Sequence, residues 1–195
     1  DIAAPVAQAH KVTALSALRH PLVRLQMAVF FVYTGLEAGA GQWAATVLTS
    51  RGWTVAEGAA SAAMFWAGLT AGRIVLGFVV DRIGPDRLLR VAVLATVVAT
   101  VLLALGVGER PALVAMAFAL APVYPTVMAR TPARLGPLAA HAFGFQVAAA
   151  MAGVAVLPAV MGVAADLWGG DAVPWVQLVL ALLLAALVWA LPVRR

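Results

Sequence analysis

Gly77-Phe78-Val79-Val80-Asp81-Arg82-Ile83-Gly84-Pro85-Asp86-Arg87 is a short charged turn set between two long apolar runs. A lipid bilayer offers no partners to backbone amides, so apolar runs of this length read as membrane-crossing helices. Gly84 and Pro85 carry the turn chemistry that joins two of them. The same punctuation recurs on both sides. Ser50-Arg51-Gly52, Gly106-Val107-Gly108-Glu109-Arg110-Pro111, Thr131-Pro132-Ala133-Arg134-Leu135-Gly136-Pro137 and Gly169-Gly170-Asp171 interrupt the other apolar runs. With roughly 20 mostly apolar residues needed per crossing, these breaks predict spans at 22–49, 55–80, 88–107, 111–130, 138–165 and 173–192. The runs do not alternate apolar with polar residues, which excludes the strands of a membrane β-barrel. The expectation is an all-α membrane protein, with a cytoplasmic segment at 1–20 and a transmembrane bundle at 21–195. Within residues 3–20, Val12, Leu15 and Leu18 recur at helical spacing beside Lys11 and Arg19. That segment is either a short surface helix on the headgroups or a linker without fixed structure.

Composition agrees. Hydrophobic residues make up 64% of the chain and charged residues 11%, against roughly 25% charged in soluble domains. Mean hydropathy is +1.00. The formal net charge of +5 does not indicate a nucleic-acid partner, because the basic residues are scattered between apolar runs. One set of connections holds Lys11, Arg19, Arg24, Arg82, Arg87, Arg90, Arg130, Arg134, Arg194 and Arg195. The other holds only Arg51 and Arg110, with Glu57, Glu109, Asp166 and Asp171. By the positive-inside rule both termini and the Asp81 turn are cytoplasmic. Trp53, Trp168 and Trp175 then fall near the outer face. The chain begins at Asp1 and not Met, which reads as a piece of a longer protein, and no cleavable signal segment is apparent.

No cysteine is present, so disulfides and thiolate metal sites are excluded. The spans hold no Gly-x-Ser-x-Gly serine, no His-x-x-x-His or Glu-x-x-His spacing and no carboxylate pair. No enzymatic activity, metal or cofactor is expected.

Polarity is unequal among the spans. The third and sixth are nearly uniform Val, Leu and Ala, and helices apolar all round are expected to face lipid. The first, second, fourth and fifth carry Gly, Pro, Tyr, Glu, Arg and Gln and should face protein or a cavity. The order polar, polar, apolar occurs twice, which suggests two three-helix units in inverted orientation. In the first span Tyr33 and Glu37 share a helix face, followed by Gln42. Glu37 lies roughly 20 Å along the helix from Leu22 at 1.5 Å per residue, near the midplane, where a charged carboxylate is costly. It is either a proton- or substrate-binding group or half of a structural ion pair whose natural partner is Arg73. Trp66, Thr70, Arg73 and Gly77 form one stripe of the second span. A Trp face and a guanidinium suit a sugar or an anionic metabolite, and Trp66 is equally suited to packing. Gly35/Gly39 and Gly68/Gly72 are small-xxx-small pairs, a signature of close helix packing. In the fourth span Pro122, Tyr124 and Pro125 place two prolines where helix is expected, each removing a backbone hydrogen bond. In the fifth, Gln146 is a candidate cavity-lining residue.

The Gly77-x-x-x-Asp81-Arg82-x-Gly84 core resembles the loop signature of the major facilitator superfamily, the twelve-helix secondary transporters. There the signature follows the second helix of each six-helix half, as it follows the second span here. The resemblance covers nearly the whole chain, from Leu18 onward. It implies one six-helix half, the C-terminal one, with a second half as partner, a small-molecule substrate and an inner-membrane location. It implies that Asp81 bonds the N-terminus of a neighbouring helix, that Arg82 joins a charge network, and that Gly77, Gly84 and Arg87 belong to a conformational loop. Pro85-Asp86 departs from the family pattern, which has basic residues there, and suggests a weakened latch. The Tyr33-x-Gly35-x-Glu37…Trp43 run and Tyr124-Pro125-Thr126 are similar to sugar–proton symporters of the fucose-permease type. A drug or metabolite exporter and a non-transporting six-helix scaffold are the alternatives.

Overall fold

The computed structural model describes residues 13–192. The earlier part of the expected 1–20 segment lies outside them. Its end is a short helix, α1 (Ala14–Arg19), opened by a reciprocal cap between Thr13 and Ser16. The other helices are α2 (Pro21–Ser50), α3 (Val55–Ile83), α4 (Pro85–Ala104), α5 (Glu109–Leu120), α6 (Val123–Leu135), α7 (Ala139–Trp168) and α8 (Ala172–Trp189), with a single 3₁₀ turn at Gly136–Leu138. No strand occurs among the described residues.

Four helical stretches are long and apolar enough to cross a membrane: Val55–Ile83, Pro85–Ala104, the 60-residue run Glu109–Trp168 and Ala172–Trp189. The 60-residue run would be roughly 90 Å long as one rod at 1.5 Å per residue, and it breaks at Gly136, whose φ is 52°. Helix α2 is 30 residues long and is not one of these four; Arg24, Gln26, Glu37 and Gln42 interrupt its apolar run.

Most boundaries sit where turn chemistry predicts. Helix α3 ends at Gly84, with φ at 87°, a conformation that only glycine adopts freely. Pro85 then opens α4 in the first turn, where no N–H is required, so α4 starts three residues before the expected 88. Two expectations need correction. The chain does not carry a proline-kinked helix through 111–130. Helix α5 stops at Leu120 and α6 restarts at Val123, with Pro122 as its cap and Pro125 in its first turn. A restarted helix absorbs both missing N–H groups at its beginning, where they have no intrahelical partner in any case. Conversely, Pro132 does not end the fourth span; α6 runs through it to Leu135.

The bundle is organised around α2, which packs most extensively on α7 and also meets α3 and α8; α5 packs on α3 and α4, and α4 on α8. Glycines set the distances. A Cβ on Gly153 would lie 2.1 Å from the Phe31 carbonyl oxygen of α2, and one on Gly35 would lie 2.3 Å from Leu157 of α7. Thr34 adds a hydrogen bond across the same contact, its hydroxyl donating to the Ala150 carbonyl at 2.8 Å. A Cβ on Gly72 would lie 2.6 Å from Ala121, so α3 is seated directly on the α5–α6 break. Both small-xxx-small pairs are therefore packing sites. Uniform apolarity did not mark α4 as lipid-facing all round: half of its most apolar 18-residue window is buried, against 22% for α3. An all-apolar helix fits a protein interior as well as it fits lipid.

At the end of the bundle opposite the Asp81 turn, charges neutralise one another. Arg51, closing α2, bonds Glu109 at 2.8 Å and Asp171 at 2.6 Å, and donates to the Leu103 carbonyl at 2.7 Å. It thereby joins the ends of α2, α4, α5 and α8. Burial lowers the Arg51 pKa, but the bonds to Asp171 and Glu109 outweigh this and hold it above its ordinary value. Trp53 donates to Glu109 at 2.6 Å, and Arg110 stacks 4.6 Å over its ring. Replacing Arg51 by Gln is expected to destabilise the protein by about 2–3 kcal/mol, somewhat below the usual cost of unpairing a buried charge because Asp171 stays hydrated. Thermal unfolding in detergent measures this, and Arg51→Gln with Glu109→Gln should recover part of the loss.

Candidate functional site

A cavity of about 710 Å³ opens between four helices. Helix α2 contributes Thr34, Glu37, Ala38 and Gln42; α3 contributes Trp66 and Arg73; α6 contributes Tyr124 and Pro125; α7 contributes Met151 and Val154. The four polar spans therefore converge on it, and six of the seven predicted binding residues meet here: Glu37, Gln42, Trp66, Arg73 and Tyr124 on the wall and Tyr33 just behind it.

Tyr33 is 1% exposed and donates its hydroxyl to Glu37 one turn along α2. Arg73 reaches across from α3, its Nη2 at 3.2 and 3.3 Å from the two Glu37 oxygens. The Glu37 side chain is 15% exposed and that of Arg73 48%, so the carboxylate is held by the protein while its cation stays open to the cavity. Both readings of Glu37 thus have their geometry: it is ion-paired with Arg73 and it faces a cavity. Tyr124 is fixed by an edge-on contact with Phe30, ring centroids 4.9 Å apart. Trp66 stands edge-on to Phe65 at 5.3 Å. Its six-membered ring edge lies where a Cβ on Gly41 would be, 2.4 Å away, so Gly41 makes room for it. The structure places Trp66 both in packing and on the wall.

Gln146 does not line this cavity. It is fully buried, its amide nitrogen donating to Gln26 at 2.7 Å and Thr131 at 2.9 Å. A polar residue in a span satisfies itself against whatever neighbouring helix offers a partner, and spacing along the chain does not mark Gln26 and Thr131 as those partners.

Among solved structures the chain is similar to a major facilitator superfamily transporter, FucP, in the outward conformation, with a TM-score of 0.78 over 90% of this chain at 21% identity. It is also similar to a variant of the E. coli fucose:proton symporter FucP, with a TM-score of 0.76 over 91% of the chain at 20% identity. Its fold is that of part of a major facilitator transporter. The chain spans 43% and 44% of those two solved chains, a little under half of each. No family model matches the sequence, and no curated protein matches it.

On the major facilitator fold the Asp81 turn occupies the end of α3, beside a second cavity of about 330 Å³ that Arg73, Gly77, Asp81, Pro85, Pro125 and Arg130 help to line. Arg73 and Pro125 belong to both cavities. Asp81 is exposed and makes no hydrogen bond or ion pair with the described residues, so the expected bond to a neighbouring helix N-terminus is not made within them. Arg82 and Arg87 are exposed and form no ion pair with the described residues. The carboxylate that organises this end is Asp86, the residue that departs from the family pattern. It bonds Arg130 at 2.9 Å and Arg134 at 2.7 Å. It also lies in the first turn of α4, where the helix dipole favours negative charge. Two arginines four apart on α6 and one carboxylate at the start of α4 were the available signal; only the packing of α4 on α6 pairs them.

Proposed function

We propose that this chain is the C-terminal half of a secondary active transporter that moves a small solute, a sugar or an organic metabolite, together with protons by alternating access. In this reading α2, α3, α4, α5 with α6, α7 and α8 are six spans forming two inverted three-helix repeats. Both termini face the cytoplasm across a bacterial inner membrane, and a second six-helix half supplies the opposite wall of the cavity. The observation that carries the proposal is the Tyr33–Glu37–Arg73 triad on the cavity wall. A carboxylate that faces a solute cavity and has an exposed cation as its partner can exchange that partner for a proton. Gln42, Trp66 and Tyr124 beside it offer an amide, an aromatic face and a phenol to a hydroxylated solute. The similar solved structure of FucP is that of a fucose:proton symporter, which supports the same class.

The test is proton movement on solute addition. The intact transporter in weakly buffered inverted or right-side-out vesicles should alkalinise the medium when its solute is added without any imposed gradient, as symport requires. Acidification would indicate antiport and favour an exporter, and no pH change with retained solute flux would remove the proton from the mechanism.

A further inference from the structure

On the side of α4 away from the cavity, a cationic head continues into an apolar track. Arg87 and Arg90 lie on successive turns at the start of α4. Neither forms an ion pair with a described residue. The carboxylate nearest in sequence, Asp86, is taken by Arg130 and Arg134. The Arg90 guanidinium instead sits 5.6 Å over the ring of Trp189, at the end of α8, which is 44% exposed. Below them Leu94, Val98 and Leu102 follow at four-residue spacing and are 50%, 60% and 38% exposed. Residues four apart fall on one helix face, so one stripe runs from the guanidiniums into the membrane. An indole at the interface is the residue type that sits at headgroup level.

We infer that the α4–α8 edge is a binding site for an anionic phospholipid, its phosphate on Arg87 and Arg90 beside Trp189 and an acyl chain along the Leu94–Val98–Leu102 track. The inference rests on the membrane reading above and not on transport. Charge complementarity selects the headgroup: two unneutralised guanidiniums at the leaflet surface attract an anionic lipid, each contributing roughly fivefold in association. The apolar track selects a lipid over a free phosphate, because only a lipid fills both parts.

Electron spin resonance of the intact protein in nanodiscs tests this, using spin-labelled phosphatidylglycerol and spin-labelled phosphatidylcholine as probes. The motionally restricted fraction should favour the glycerol lipid several-fold over the choline lipid. Arg87→Gln with Arg90→Gln should remove the preference, Arg87→Lys with Arg90→Lys should retain most of it, and Arg24→Gln, at an exposed site on α2, should leave it intact. Inorganic phosphate at matched ionic strength should not compete. Absence of a preference in the unaltered protein, its survival in the double glutamine variant, or equal loss in the Arg24 variant would overturn the site. Displacement by inorganic phosphate would overturn its assignment to a lipid. Solute flux does not enter the readout, so failure here leaves the transport reading standing.

Discussion

Glu37→Gln in the full-length protein is expected, on the proton-coupled reading proposed above, to reduce proton-driven accumulation of solute to background while solute exchange down its own gradient continues. Gln is close in shape to a protonated carboxylic acid and can still accept from the Tyr33 hydroxyl, but it cannot release a proton. The second consequence is the loss of the Arg73 ion pair. The exposures decide how much that matters to the fold. Arg73 is 48% exposed at its side chain, so it can turn to water in the cavity and is not stranded. Half-exposed pairs of this kind contribute about 0–1 kcal/mol, and thermal stability should therefore change little. A structural bridge behaves differently: the single variant would unfold more easily and express poorly, and Glu37→Gln with Arg73→Gln would restore it. Accumulation assays in proteoliposomes, run beside counterflow and thermal unfolding, separate the two. Unchanged accumulation together with unchanged stability would make Glu37 a bystander and remove the basis for proton coupling through it.

The largest effect on stability is expected at Gly153. A Cβ there would lie 2.1 Å from the oxygen and 2.9 Å from the carbon of the Phe31 carbonyl, and 2.9 Å from the Thr34 hydroxyl. The first two are backbone atoms, so no rotamer change relieves the clash and α2 must move away from α7. Gly153→Ala should cost about 3 kcal/mol or more, at the upper end for overpacked cores, and should weaken the Thr34 bond to Ala150 as well. Gly144→Ala, earlier in the same helix, is the control. Nothing lies within 4 Å of its added methyl, and alanine favours helix over glycine by about 1 kcal/mol, so it should be neutral or stabilising. Similar melting temperatures for the two variants would contradict the α2–α7 packing described above.

Legibility in the sequence followed the range of the forces involved. Glycine and proline turns are local, and Gly52, Gly84, Gly136 and Gly169 do mark breaks with positive φ. The pairing of Glu37 with Arg73 was also legible, because so few ionisable groups lie within the spans that the candidates for partner are few. Three features were not. The restart of helix at Val123 depends on where α3 presents Gly72 to Ala121. The burial of Gln146 depends on Gln26, 120 residues away. The role of Asp86 depends on α6 lying beside α4. Each is decided by a neighbour distant in sequence, and a pattern of residue types along one chain carries no information about which distant helix will be adjacent. For the same reason the Asp86 substitution read as a loss of charge in the turn, when in the folded protein it anchors two arginines.

The link between Arg51 and Asp171 also sets an order of biosynthesis. These residues are 120 positions apart, and at about 5–20 residues per second the ribosome delivers the second roughly 6–24 s after the first. During that interval Arg51 can meet Glu109, 58 positions on, but not Asp171, and the Gly153 docking surface that α7 offers to α2 is nearly as late to arrive. Glu37 waits less, because Arg73 follows it by only 36 positions. Nascent α2 is therefore expected to acquire Arg73 as partner of Glu37 first and to complete its terminal clamp last, when the start of α8 has been made.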